Sequence, residues 1–171
     1  MWIHRGGVFK VFSGRHDHAL DDKGRTMVPK EFRSVLAVLG QRSVMAAYEP
    51  GKPGYLEVRT VPAFQRFQAE FSKARKKARQ NKAKLDRYAT VHFGSARMIE
   101  LDRTGRLLLP PELRARLGLT EGVAFVGIDD ESFQIWRPES LDAVYDLCDE
   151  EADDIQDALG EAFAALDSAS E

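Results

Sequence analysis

Two arginines in this chain each stand directly after a glycine and four positions after an aspartate, in Asp21-Asp22-Lys23-Gly24-Arg25 and Asp102-Arg103-Thr104-Gly105-Arg106. Each residue type has a job at that spacing. The carboxylates of Asp21 and Asp102 can accept bonds from amides further along the turn. Gly24 and Gly105 let the chain reverse without a Cβ clash. A short, stiff loop then holds Arg25 or Arg106 in one orientation. A pre-ordered guanidinium is a planar fork able to meet guanine O6 and N7 with two hydrogen bonds. The competing reading is that Asp21–Arg25 and Asp102–Arg106 are ion pairs that only hold the turns, and the two roles can coexist. Arg33 and Arg114 follow on short helices and read as structural or phosphate-facing.

These turns belong to a longer duplication. Residues 20–33 and 101–114 align at an offset of 81, and seven of the fourteen pairs are identical, among them Pro29/Pro110, Glu31/Glu112 and Arg33/Arg114. That density marks an internal repeat. A second echo, Gly54–Arg59 against Ser132–Arg137, falls at an offset of 78. Each half therefore reads as strand, tight turn, strand, short helix, strand, turn, strand, longer helix. The halves are too small to be secure alone, so two half-domains sharing one core are expected. The resulting partition is an N-terminal extension (1–10), a first half (11–61), a basic linking helix (62–90), a second half (91–137) and an acidic C-terminal helix and tail (138–171).

The elements follow from local patterns. A strand is expected within Val8–Leu20 and another over Arg25–Val28. Pro29 stops the latter and opens a short helix whose Phe32 and Leu36 face the core. Val44–Tyr48 and Tyr55–Arg59 read as strands. Pro62 opens a long helix with an apolar stripe of Phe64, Phe67, Phe71, Ala74 and Ala78. The stripe thins into Lys73–Arg87, which holds eight Lys or Arg. Val91–Leu101 reads as the strand into the second motif, Gly118 as the cap of the second short helix, and Val123–Ile128 with Phe133–Arg137 as a hairpin. Pro138 opens a last helix whose narrow stripe includes Cys148, expected to be a small buried hydrophobe.

The net charge of −2 hides a segregation. Residues 138–171 hold twelve of the 27 acidic residues and no Lys or Arg, leaving 15 acidic against 25 basic residues in 1–137. A basic body with an acidic tail points to a polyanionic partner or a tail that shields a basic face. No apolar run reaches 18 residues, so no membrane partner is expected. No secretory signal is visible, and a single cysteine fits a reducing cytoplasm. The basic run Lys73–Arg87 could follow a DNA backbone, form a solvated face, or meet acidic residues 146–154 of a neighbouring chain.

At its two Asp-x-x-Gly-Arg turns, and at Phe93-Gly94 ahead of the second, the chain resembles the MraZ family of bacterial regulators encoded with division and cell-wall genes. The likeness runs from about Val11 to Ala165. It implies a mainly β fold with flanking helices (α+β), in which the two repeats build a double-split β-barrel like that of AbrB-type chains. It further implies a homo-oligomeric ring, an octamer or larger, on G-rich direct repeats of double-stranded promoter DNA. The expected protein is a cytoplasmic, nucleoid-associated repressor of its own operon. With that resemblance, Arg25 and Arg106 are expected to read guanines, Lys23 and Arg103 to contact phosphate, and Asp21, Gly24, Asp102 and Gly105 to form the turns. No cofactor, metal or catalytic residue is expected, since no nucleophile–base set, phosphate cradle or zinc spacing is present. The alternatives are an antitoxin-like protein-interaction module and a metal enzyme built on His16 and His18, which share one strand face.

Overall fold

The computed structural model describes residues 11–168, so the extension expected at 1–10 lies outside the described residues. Residues up to Pro138 form one compact unit and those from Glu139 onward another.

The first unit mixes strands and helices as expected. In chain order it holds β1 (Arg15–Ala19), β2 (Arg25–Met27), α1 (Lys30–Val38), β3 (Ser43–Glu49), β4 (Tyr55–Thr60), α2 (Val61–Lys77), α3 (Lys82–Ser95), β5 (Arg97–Glu100), β6 (Arg106–Leu108), α4 (Pro111–Leu117), β7 (Gly122–Gly127) and β8 (Ser132–Trp136). Six strands form an antiparallel sheet in the order β1-β7-β8-β4-β3-β5, and β2 pairs with β6 in a separate ribbon. Exchanging equivalent strands of the two halves leaves both sheets unchanged. The halves are thus related by an approximate two-fold axis through the β4–β8 pair and the β2–β6 ribbon. β1 of the first half pairs with β7 of the second, Arg15 opposite Val126, and β5 pairs with β3 in the same exchanged manner, Ser43 opposite Glu100.

The core follows from period-two and period-3.6 burial. Val44, Ala46, Leu56 and Val58 from the first half, with Val123, Phe125, Phe133 and Ile135 from the second, are almost fully buried. Phe32, Val35 and Leu36 of α1 and Leu113 and Leu117 of α4 close over them. Phe32 is the meeting point: its ring centroid lies 5.3 Å from Phe12, 5.1 Å from Phe133 and 6.2 Å from Phe125, in edge or tilted contacts. Such pairs add to the area term of burial. Gly118 caps α4 in the left-handed region at φ 67°.

Several expectations are corrected. β1 lies within the expected span but begins at Arg15 rather than near Val11–Phe12, although Phe12 is already buried and its amide bonds Asp129 O at 2.8 Å. The helix opened by Pro62 does not run through the basic stretch. It ends at Lys77, Ala78 is extended, and Asn81 adopts φ 57°, a left-handed conformation that Asn tolerates. The stripe is real, but Phe67 and Phe71 spend it on α3, meeting Tyr88 and Phe93 at 5.2–5.7 Å. Consequently α3 occupies Val91–Ser95, and the strand expected from Val91 starts at Arg97. The second echo is displaced by one residue: Leu56 and Val58 share the core with Phe133 and Ile135, an offset of 77 and not 78. A slip of one would turn every side chain to the wrong face.

The second unit contains α5 (Pro138–Glu150) and α6 (Ala152–Ser168), so the single last helix is two. Cys148 is exposed, contrary to the buried position expected from its place in the stripe. Leu159 of the same stripe retains 44% exposure, whereas Leu141 at its start is buried at 3%.

Truncating Phe32 to Ala removes a fully buried ring from the junction of both halves. It should cost about 3–5 kcal/mol, measured as a lowered denaturation midpoint at fixed protein concentration.

Candidate nucleic-acid interface

The ribbon is only three residues long on each strand, with Arg25 opposite Leu108, Thr26 opposite Leu107 and Met27 opposite Arg106. Thr26 and Leu107 are buried, each at 1% exposure. Strand alternation then turns Arg25, Met27, Arg106 and Leu108 to the outer face. Both arginines expected from the sequence therefore lie on one surface, as diagonal cross-strand neighbours about 7–8 Å apart. Neither half presents that surface alone.

Each turn is built as its residues suggest. Asp21 Oδ1 accepts the amides of Lys23 (3.0 Å) and Arg25 (2.8 Å), and Oδ2 accepts Arg25 Nε at 2.7 Å. Asp102 Oδ1 accepts the Thr104 amide (2.9 Å), the Thr104 hydroxyl (2.7 Å) and the Arg106 amide (3.0 Å), while Oδ2 accepts Arg106 Nε at 2.8 Å. Gly24 and Gly105 both take φ 85°, and their amides donate to Asp21 O and Asp102 O. The ion pairs are thus present in both turns. They engage Nε of each arginine, whereas Nη1 and Nη2 make no bond among the described residues, and 36% of each arginine side chain is exposed. Lys23 and Arg103 are exposed at the turn tips.

The two turns are locked to each other across the axis. The Val28 amide donates to Gly105 O at 3.0 Å and the Leu109 amide donates to Gly24 O at 2.9 Å. Arg33 from α1 lies over Gly105 of the opposite half and donates from Nη1 to Val28 O at 2.6 Å. Arg114 from α4 lies over Gly24 and donates from Nε to Leu109 O at 3.0 Å. The second shared acidic position, by contrast, makes its contact within its own half. Glu112 pairs with Arg97 at 3.0 Å, and Glu31 lies 3.8 Å from His16, the residue equivalent to Arg97. Sequence reasoning left Arg33 and Arg114 without a partner. The signal was present in their identity across the repeat, but the partner glycine lies in the other copy.

His16 and His18 each stand against an aromatic ring. The His16 ring packs on Phe32 at 5.1 Å and His18 on Phe125 at 5.7 Å, and burial holds the His18 imidazole below its ordinary value. Among the described residues no group of three or more His, Cys, Asp or Glu is arranged around a common point, and no helix is long and apolar enough to cross a membrane.

Both turn carboxyls are held below the ordinary aspartate value of 3.8. For Asp21 the largest cause is the Arg25 amide. For Asp102 it is the Arg106 amide, then the Thr104 hydroxyl and the Arg106 side chain. A depressed folded value means the turn bonds are complete above pH 3.8 and are lost only as pH falls through the lower folded value. Carboxyl titration followed by NMR should give midpoints below 3.8 for both aspartates. In Arg106→Ala the Asp102 midpoint should rise yet stay depressed, because the backbone donor remains.

Residues 11–87 and 92–158 match the family described as "MraZ protein, putative antitoxin-like". The chain is 32% identical to the transcriptional regulator MraZ of Desulfosudis oleivorans, over 74% of this chain and 80% of that protein. It is 29% identical to the protein of the same name from a Ruegeria species, over 91% and 93% of the two chains. For the one from Thermomicrobium roseum the figures are 33% identity over 87% and 97%. The two matched segments bracket the two repeats, and the chain belongs to the MraZ family.

Proposed function

We propose that this protein is a sequence-specific DNA-binding transcriptional regulator. It occupies G-rich direct repeats in the promoter of its own division and cell-wall operon as a homo-oligomeric ring, and so represses that operon on the nucleoid in the cytoplasm. The observation that carries this reading is the pair Arg25 and Arg106. They lie side by side on the outer face of a two-stranded ribbon, each fixed through Nε, with terminal nitrogens that make no bond among the described residues.

A ribbon of that width fits a major groove, which is about 12 Å wide. The arginine spacing corresponds to about two base-pair steps of 3.4 Å. With Nε held by aspartate, Nη1 and Nη2 form the fork that meets guanine O6 and N7. Lys23 and Arg103 flank the ribbon at the tips and meet phosphates, which position the head without reading sequence. The exposed Lys73, Lys76, Lys77, Arg79, Lys82, Lys84 and Arg87 of the α2–α3 arm add positive field that speeds encounter with a polyanion. The exchange of strands between the repeats supports reading the fold as a double-split β-barrel. Several such heads on one ring gain avidity on spaced repeats through effective concentration.

An antitoxin-like interaction module is the second reading. The family's description favours it, as do the exposed apolar side chains of Val38, Leu39 and Ile128. A small protein co-purifying in fixed ratio would mark that role.

Mobility shifts on DNA from the protein's own upstream region test the primary reading. Arg25→Ala and Arg106→Ala should each weaken specific binding by about 1–3 kcal/mol, with little change on unrelated DNA. Lys23→Ala and Arg103→Ala should weaken both kinds of DNA alike and lower the salt slope by about 1. Unaltered operator binding by both arginine variants would remove the ribbon from the mechanism.

A further inference from the structure

Each reading turn is braced by an arginine from the other half of the chain. We propose that Arg33 and Arg114 are crossed positioning residues: Arg33 sets the orientation of Arg106, and Arg114 sets that of Arg25. The inference rests on the reading of Arg25 and Arg106 as the base-contacting residues, and it adds a dependence that the repeat alone does not suggest.

The geometry is reciprocal. A Cβ built on Gly24 would lie 2.5 Å from both Nε and Cζ of Arg114, so the guanidinium end packs directly on the glycine. At Gly105 the same construction collides with Cδ and Nε of Arg33. The two glycines therefore meet two requirements at once, a positive φ and a surface bare enough to take an arginine. Each brace continues into the backbone. Arg33 Nη1 bonds Val28 O, the Val28 amide bonds Gly105 O, and the Gly105 amide bonds Asp102 O at 3.0 Å. Asp102 in turn holds Arg106 Nε. The equivalent path runs from Arg114 through Leu109, Gly24 and Asp21 to Arg25.

Neither brace makes an ion pair among the described residues. Both are half-buried, which limits their motion. If a brace is lost, its glycine has nothing packed on it and the turn it supports can pivot. The other turn keeps its own brace. A purely structural arginine would instead affect both turns alike through the shared core.

The experiment is a crossed binding series on operator DNA in which each guanine of the half-site is replaced in turn. Arg106→Ala and Arg25→Ala first define the base whose replacement no longer matters in each variant. Arg33→Ala should become indifferent to the same base as Arg106→Ala, with binding reduced about tenfold or more. Arg114→Ala should pair with Arg25→Ala. In the double variant Arg33→Ala/Arg106→Ala the second change should add less than about twofold, whereas Arg33→Ala/Arg25→Ala should be additive. Equal loss at both bases, a parallel rather than crossed pairing, or no loss would overturn the proposal.

Arg33→Lys, which keeps charge and a donor but not the flat guanidinium, serves if the alanine variant does not fold. Hydrogen exchange by mass spectrometry on the free protein separates the two ideas. Faster exchange confined to 101–109 in the Arg33 variants and to 20–28 in the Arg114 variants supports the crossed braces even if the arginines prove not to read bases. Exchange that quickens equally in both segments rejects the braces even if base reading stands.

Discussion

Strands β1 and β5 find their sheet partners only in the opposite half of the chain. β1 is satisfied by β7, β5 by β3, and the central ladder from Leu56–Ile135 to Arg59–Ser132 sews the copies together. A lone half would leave an extended strand with unpaired backbone groups and a core missing one wall, both of which are costly. The exchange therefore makes the two copies one cooperative body. It also fixes where the Asp-x-x-Gly-Arg turns go. Each turn connects an exchanged strand to a ribbon strand, so pairing β1 with β7 and β5 with β3 delivers the two turns to the same face. The ribbon has only three residue pairs, too few to be stable as an isolated hairpin. It is held because Thr26 and Leu107 are buried and because Val28 and Leu109 bond the glycine carbonyls of the opposite turn.

The ion pairs of Arg25 and Arg106 are compatible with the proposed contact to DNA, since they leave the terminal nitrogens aside. An exposed Asp–Arg pair contributes little to stability, and these two pairs are on the surface. Their consequence is orientational. Ordering a long side chain on binding costs about 0.5–1.5 kcal/mol, and a guanidinium already tied through Nε has lost much of that freedom beforehand. The aspartate also limits which edge can be offered: Nε is occupied, so the terminal fork is the edge that remains. Acidification does not readily undo this, because the main-chain amides of Arg25 and Arg106 hold the carboxylates ionised independently of the side chains.

What could be read in the sequence is what local chemistry dictates. The turns, their carboxylate bonds, the strands on either side, Phe32 and Leu36 as core positions and Gly118 as a cap all follow from residue type and spacing. The β7–β8 hairpin followed too, but the partners across the two halves did not, since period-two patterns say which face is buried and not which distant strand lies alongside. The echo at offset 78 matched letters such as the shared arginine at 59 and 137, whereas the core required 77. The break after Lys77 was hidden because Ala74 and Ala78 extend the stripe without interruption, and only the chance for Phe67 and Phe71 to pack on Tyr88 and Phe93 favours a reversal. Cys148 fitted a stripe, but a stripe records a helix face and not that anything covers it. Arg33 and Arg114 showed their importance by identity, while their partners, Gly105 and Gly24, became visible only once the halves were interleaved.

Covalent joining of the copies has a further consequence. Two identical chains related by an exact two-fold axis present identical half-heads, and such symmetry favours palindromic sites. Here the copies are free to differ, and they do so on the outer face. Lys23 is matched by Thr104, Met27 by Leu108, and the His16–Glu31 contact by Arg97–Glu112. Asp102 gains a hydroxyl donor from Thr104, while at that place the first turn offers the long charged side chain of Lys23. The ribbon thus keeps two equivalent arginines in an otherwise unequal setting, which gives the head a direction. A head with a direction suits sites that all run the same way better than it suits an inverted pair.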